Sequence, residues 1–180
     1  MCLRASFHGG AVRGNVMYRV RRWVVRHSRF FEAIYRTFEP LLIKLHPVWK
    51  RIGYSRVEAP VRFVEKNVKG FLFDCQMCGK CALSSTGMSC PMNCPKNLRN
   101  GPCGGVRANG NCEVEPDMRC VWVDAWEGSQ QMKGSDKIHA VQLPVDYRTK
   151  GTSSWLREVR QVVETHDPGS AATADKGTSQ

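Results

Sequence analysis

The sequence predicts a mainly α-helical protein with irregular loops, and three observations lead to this fold class. Apolar residues recur every three or four positions near the start of the chain, and again near its end, as they do on amphipathic helices. Between these regions, eight cysteines fall within the 46 residues from Cys75 to Cys120, which leaves little room for regular structure. A chain of 180 residues is also too short for a complete (β/α)₈ barrel, which takes about 250. We therefore expect a helical N-terminal arm, a loop-rich cysteine centre and a short C-terminal helix.

The N-terminal arm, residues 1–56, is predicted to be a basic amphipathic helical segment. Its apolar stripe consists of Val16, Val20, Trp23, Val24, Phe31, Ile34 and Phe38 and continues through Leu41, Leu45, Val48 and Ile52. Pro40 is expected to end one helix or open the next, Pro47 to kink or restart it, and Gly53 to stop it. The arm holds 12 Lys and Arg residues against two acidic ones, so it carries +10 of the chain's +11 formal charge.

Three functions remain open for this arm. The favoured one is a helical pair that packs on its own domain or on a partner chain. A membrane-surface helix is the second, because an apolar face with an arginine-rich flank suits an anionic bilayer. Nucleic-acid binding is the least favoured, because the arginines lie outside any helix-turn-helix or RNP motif. We expect no nucleic-acid partner.

The remaining divisions are a cysteine-rich module at 57–124, a C-terminal extension at 125–166 and a flexible tail at 167–180. Within the extension and just before it, Val121 and Val123 alternate around Trp122 like a short strand, residues 128–135 resemble a loop, and residues 138–145 an extended segment. Thr152, Ser153 and Ser154 precede a helical apolar period, which is a helix N-cap signal.

The cysteine-rich module is the chain's main chemical feature. Its candidate ligands are Cys75, Cys78, Cys81, Cys90, Cys94, Cys103, Cys112 and Cys120, with Cys2 left over. Disulfides are disfavoured because the N-terminus has no apolar export signal, and we expect a cytoplasmic protein. No run of 18 apolar residues predicts a membrane span. Zinc in four-cysteine sites and iron–sulfur clusters remain.

The triple Cys75-x2-Cys78-x2-Cys81 favours iron–sulfur clusters over zinc. Zinc ribbons use one CxxC pair from each of two knuckles, whereas three thiolates at two-residue gaps wrap a cubane whose fourth ligand is remote. Eight thiols suffice for two [4Fe–4S] clusters; zinc, or one cluster with zinc, is the alternative. The fourth partner of the triple stays open among the other five cysteines. Lys96 and Arg99 lie between ligands and either donate to sulfur or are solvated.

The module resembles the methylenetetrahydrofolate reductase C-terminal domain family from about Gly70 to Trp155. The matching residues are Cys75-Gln76-x-Cys78-Gly79-x-Cys81, Cys90-Pro91, Cys94-Pro95-Lys96, Arg99-Asn100-Gly101-Pro102-Cys103-Gly104-Gly105, Cys112-Glu113-Val114, Cys120-Val121-Trp122 and Thr152-Ser153-Ser154-Trp155. In that family the domain is fused behind a reductase barrel or is a separate small subunit. The resemblance implies a subunit whose barrel partner binds flavin (FMN or FAD) and folate.

From this resemblance we expect an accessory, non-catalytic iron–sulfur subunit of a methylenetetrahydrofolate reductase complex. It would pass electrons to or from the flavin of the barrel subunit, which interconverts 5,10-methylenetetrahydrofolate and 5-methyltetrahydrofolate. The sequence leaves the external donor open among a ferredoxin, a flavoprotein and a nicotinamide-linked subunit. The alternative is a structural zinc-binding subunit that stabilises the barrel without electron transfer.

Overall fold

The computed structural model describes the backbone of residues 11–166 and the side chains of residues 16–165. The predicted tail at 167–180 and Cys2 lie outside this range. Within it the protein is mainly helical, with loops between the helices, which confirms the predicted fold class. Among the described residues, β-structure is limited to two isolated bridges, Val106 with Cys112 and Asn111 with Arg119. The helices are α1 (Ala11–Arg26), α2 (Ser28–Lys44), α3 (His46–Ile52), α4 (Tyr54–Phe73), α5 (Val121–Gln131) and α6 (Ser154–His166).

The arm breaks into helices at places that differ in part from the prediction. Pro40 neither ends nor opens a helix, because it lies inside α2, which runs on to Lys44. Packing against α6 holds this turn in place. Phe38, two residues before the proline, meets Trp155 of α6 edge-to-face, with ring centroids 4.9 Å apart. Pro47 restarts the chain in the first turn of α3, and Gly53 ends α3 with a φ of 94°, as predicted.

Two further helices cross the segment boundaries that the sequence predicts. Helix α4 spans the predicted boundary at residue 56, and α5 spans the one at residue 124. The prediction of a strand at 121–123 is wrong, because Val121 and Ala125 are buried together on one face of α5. That burial overrides the β-propensity of the valines. The predicted loop at 128–135 begins only after Gln131, and the predicted extended segment at 138–145 starts inside a 3₁₀ turn, Ser135–His139.

The core joins the arm to the cysteine-rich module. Phe31 of α2 packs against Phe73 at the end of α4, with ring centroids 6.0 Å apart. The buried cluster around them contains Val24, Leu83, Met88, Cys90 and Met132. This chain's own module therefore covers only part of the arm's apolar stripe, at Val24 and Phe31. The stripe residues Val16, Trp23, Ile34, Leu41, Val48 and Ile52 are exposed. In the part of the chain described, no helix is both long and apolar enough to cross a membrane.

The N-cap predicted for the last helix is confirmed. The Ser153 hydroxyl accepts a hydrogen bond from the backbone N–H of Leu156 (3.3 Å) and donates to a carboxylate oxygen of Glu65 on α4 (2.6 Å). The same serine therefore caps α6 and fastens it to α4.

Ser153→Ala should lower the free energy of unfolding by about 1–2 kcal/mol, because both the cap and a buried hydrogen bond are lost. Urea denaturation followed by circular dichroism measures the change. Ser84→Ala, at an exposed serine, is the matched control and should stay within about 0.5 kcal/mol of the parent protein. Equal stability of the two variants would contradict the capping role.

Candidate metal centre

Four of the predicted ligands line one cavity, which we call the thiol cavity: Cys75, Cys78, Cys81 and Cys90. The chain enters it where α4 ends, since Asp74 takes a left-handed conformation (φ 51°) and turns Cys75 inward. The fourth partner of the triple was open among five cysteines, and of these five Cys90 lines the thiol cavity. A cysteine 15 positions along from Cys75 reaches the cavity because the intervening segment folds back over the core.

The loop that carries the triple is held from two sides. The Met77 backbone N–H donates to the Cys75 sulfur (3.4 Å), with Met77 at a positive φ of 48°. Gly79, at φ 77°, packs directly against the backbone at Thr149. An added Cβ would lie 2.3 Å from the Thr149 carbonyl oxygen. Arg157 of α6 donates to the Gly79 carbonyl oxygen (3.0 Å). The C-terminal extension therefore fixes the shape of the ligand loop.

Burial controls the protonation of these thiols. It raises the pKa of Cys75 to about 11 and the pKa of Cys90 much further, and the neighbouring cysteines add to both shifts. All eight cysteines of the described range are unpaired thiols. Without a metal, Cys75 and Cys90 are neutral at pH 7, so a metal that binds their thiolates must displace protons.

Arg99 is one of three cationic residues that line the thiol cavity, together with Lys69 and Lys80. It is 8% exposed, and its guanidinium donates to the Cys78 sulfur (3.8 Å) and to the Lys80 carbonyl oxygen (3.2 Å). This contact agrees with the predicted role of a donor to sulfur. Lys96, the other predicted donor, is on the surface, where it pairs with Glu113 close to Cys103.

Lys69 is the second cation, and the sequence did not single it out. It is 1% exposed and donates to Glu65 (2.8 Å) and to the Ser154 hydroxyl (2.7 Å). Burial alone would lower the pKa of Lys69, but the charges of Cys81, Tyr35 and Glu65 raise it above its ordinary value. The ammonium is therefore permanently charged beside the thiol cavity. A Glu–Lys pair four residues apart is ordinarily a solvated helix face, so the pattern alone gave no signal of this role.

The other four predicted ligands lie outside the thiol cavity. Cys94, Cys112 and Cys120 are buried, whereas Cys103 is exposed and donates to Glu113, the neighbour of Cys112 (3.9 Å). Backbone hydrogen bonds hold Cys112 and Cys120 in the small bridged segment, through Met118 and Gly110. Among the described residues, no hydrogen bond joins Cys94 to the other three.

The thiols of the described range do not converge as the ligands of a single metal ion do. No group of three or more His, Cys, Asp or Glu side chains among these residues converges closely enough to hold one metal ion. Four thiolates bound at about 2.3 Å to one zinc ion lie within about 4 Å of each other. The thiol cavity therefore has a wider arrangement than a closed zinc site.

Comparison with known proteins gives one match. No curated protein and no solved structure matches the chain. A family model described as methylene-tetrahydrofolate reductase C terminal matches residues 54–148, just over half of the chain. The matched range begins with α4, contains all eight candidate ligands and ends in the turn before α6. The chain therefore belongs to the methylene-tetrahydrofolate reductase C-terminal family.

Proposed function

We propose that this protein is an accessory iron–sulfur subunit that works with a methylenetetrahydrofolate reductase. It passes electrons between an external donor, a ferredoxin or a flavoprotein, and the flavin of a separate barrel subunit. That subunit carries the folate chemistry. The family membership supports the link to the reductase. The observation that carries the electron-transfer role is the thiol cavity, in which the ferredoxin-like triple meets a fourth cysteine.

In this proposal, Cys75, Cys78, Cys81 and Cys90 hold one [4Fe–4S] cluster. Its chemistry when bound is the gain and loss of single electrons. The wide arrangement of the thiols suits a cluster, because the ligands of a cluster bind different iron atoms. The second cluster is assigned to the four remaining cysteines, Cys94, Cys103, Cys112 and Cys120.

The residues around the thiol cavity suit an anionic cofactor. A cluster with four thiolates is negatively charged, and taking up an electron makes it more so. Arg99 donates to a ligand sulfur, and Lys69 holds a buried positive charge next to Cys81. Both interactions favour the reduced state and raise the reduction potential.

Anaerobic purification with metal analysis and redox titration tests the proposal. We expect a brown protein with about eight irons per chain, which takes up electrons reversibly and co-purifies with a barrel reductase. A colourless protein with stoichiometric zinc and no redox step would overturn the electron-transfer role. It would support instead a structural zinc subunit that stabilises the barrel.

A further inference from the structure

Two large aromatic side chains of the arm lie open to solvent while resting on the core. Trp23 of α1 is 49% exposed and Phe30 of α2 is 59% exposed. Their rings pack on Phe31, with ring centroids 5.8 Å and 5.5 Å away. Because Phe31 is itself buried in the core, its contacts hold the two exposed rings side by side on the surface.

The exposed apolar surface continues along α2. Phe30, Ile34 and Leu41 are all exposed, and their spacing of four and seven positions places them on one face of the helix. At 1.5 Å per residue, this row is about 16 Å long. We call the row and Trp23 together the arm patch. A contiguous exposed apolar surface of this kind marks an interaction site.

Positive side chains border the arm patch. The exposed cations of α1 and α2 in the described range are Arg19, Arg26, Arg29, Arg36 and Lys44. In the part of the chain that the structure describes, none of them forms an ion pair. Arg29 and Arg36 lie on the side of α2 opposite Phe31, so the exposed row has the core on one side and arginines on the other. The charge beside the patch is therefore available to an anionic partner.

Apolar and cationic character together discriminate between partners. A second copy of this chain would bring the same arginines together, and like charges oppose that contact. Nucleic acid would suit the arginines, but Ile34 and Leu41 offer no ring on which a base can stack. A partner protein would have to supply a matching apolar groove with an acidic edge. An anionic bilayer accepts both parts without a matched shape, because its acyl chains take the apolar side chains and its headgroups take the arginines.

We propose that the arm patch binds the surface of an anionic membrane, with α2 lying in the plane of the interface. Trp23 and Phe30 enter the boundary between headgroups and acyl chains, and Arg26 and Arg29 meet the anionic headgroups. Binding of this kind is peripheral. It needs no membrane-spanning helix, and the described range contains none. The proposal does not depend on which metal the cysteines hold.

Vesicle sedimentation with the full-length protein tests the charge requirement. The vesicles contain either phosphatidylcholine alone or equal parts of phosphatidylcholine and phosphatidylglycerol. We expect binding to the anionic vesicles that weakens steeply as salt is added, and little binding to the neutral ones. Arg26→Gln and Arg29→Gln should each weaken the binding about fivefold. Lys133→Gln and Lys150→Gln, at exposed lysines outside the arm, are the matched controls and should leave it unchanged.

Two further variants test the apolar requirement. Trp23→Ser and Phe30→Ser should each weaken binding to the anionic vesicles about tenfold, because about half of each side chain is available for burial. Trp126→Ser is the control for the first, since Trp126 is also 49% exposed, and Leu143→Ser, at another exposed apolar residue, is the control for the second. Thermal melting followed by circular dichroism shows which variants remain folded. If Trp23→Ser unfolds, Phe30→Ser and the arginine variants still decide the question.

Equal binding to neutral and anionic vesicles would overturn the proposal, as would arm variants that all bind like their controls. Absence of vesicle binding would overturn it too. Binding to polyglutamate or to an oligonucleotide would then assign the arm patch to an acidic protein or to a nucleic acid, and self-association in gel filtration would assign it to a second copy. These results are separable from a failure of the proposed function, because metal analysis and redox titration report only on the cysteines.

Discussion

Cys90→Ala should remove about half of the bound iron, leaving about four irons per chain instead of about eight. The reason is that Cys90 lines the thiol cavity with the triple, so its loss leaves one cluster with three ligands and the other intact. Iron and sulfide analysis of the anaerobically purified variant measures this directly. Cys2→Ala is the control, because this cysteine falls outside the predicted ligand set, and it should keep the full iron content.

Double variants make the assignment of Cys90 specific. Cys75→Ala with Cys90→Ala should retain the same iron as either single variant, because both residues serve one cluster. Cys90→Ala with Cys103→Ala should lose nearly all of it. Non-additivity in the first pair and additivity in the second are the signature of a shared site. The opposite pattern would place Cys90 in the second cluster and contradict the arrangement described above.

Lys69→Met should destabilise the protein by about 3–5 kcal/mol, because it leaves the Glu65 carboxylate buried without its counter-charge. Both side chains are about 1% exposed, so water cannot replace the lost ion pair. Urea denaturation at pH 7 measures the effect. Lys66→Met, at an exposed lysine three residues earlier on the same helix, is the matched control and should change the stability by at most about 0.5 kcal/mol.

Adding Glu65→Gln to Lys69→Met should recover part of the lost stability, since no unpaired charge is then buried.

The pH dependence of the free energy of unfolding follows from the same pair, Glu65 and Lys69. Lys69 and the serine hydroxyls hold the pKa of Glu65 below its ordinary value of 4.5, although burial alone would raise it. The stability that the Glu65 carboxylate gains from these partners is present above pH 4.5. It is lost as the pH falls through the lower pKa that Glu65 has in the folded state. A double variant with the same acid sensitivity as the parent would contradict this account.

The sequence allowed prediction of the features that depend on local pattern. The helical class follows from apolar periodicity, the start of α6 from the hydroxyls around Ser153, and the candidate ligands from cysteine spacing. Cys90 could not be assigned to the triple from spacing, because its position depends on how residues 82–89 fold over the core. Lys69 was missed for a similar reason, because the packing of α2 and α6 against α4 buries it. At α5, local β-propensity gave the wrong structure because the buried helical face outweighs it.

Helix α2 also bears on where the functional unit of this protein begins. The family match starts at residue 54, yet Tyr35 lies on α2 and the core residue Phe31 packs on Phe73, next to the first ligand. A fragment cut to the boundaries of the family would keep every cysteine of the module. It would lose Phe31 from the core and Tyr35 from the groove beside Cys81. The family match therefore leaves out α2, whose Phe31 belongs to the same buried cluster as Phe73 and Cys90. A dissection of this protein should therefore begin upstream of α2.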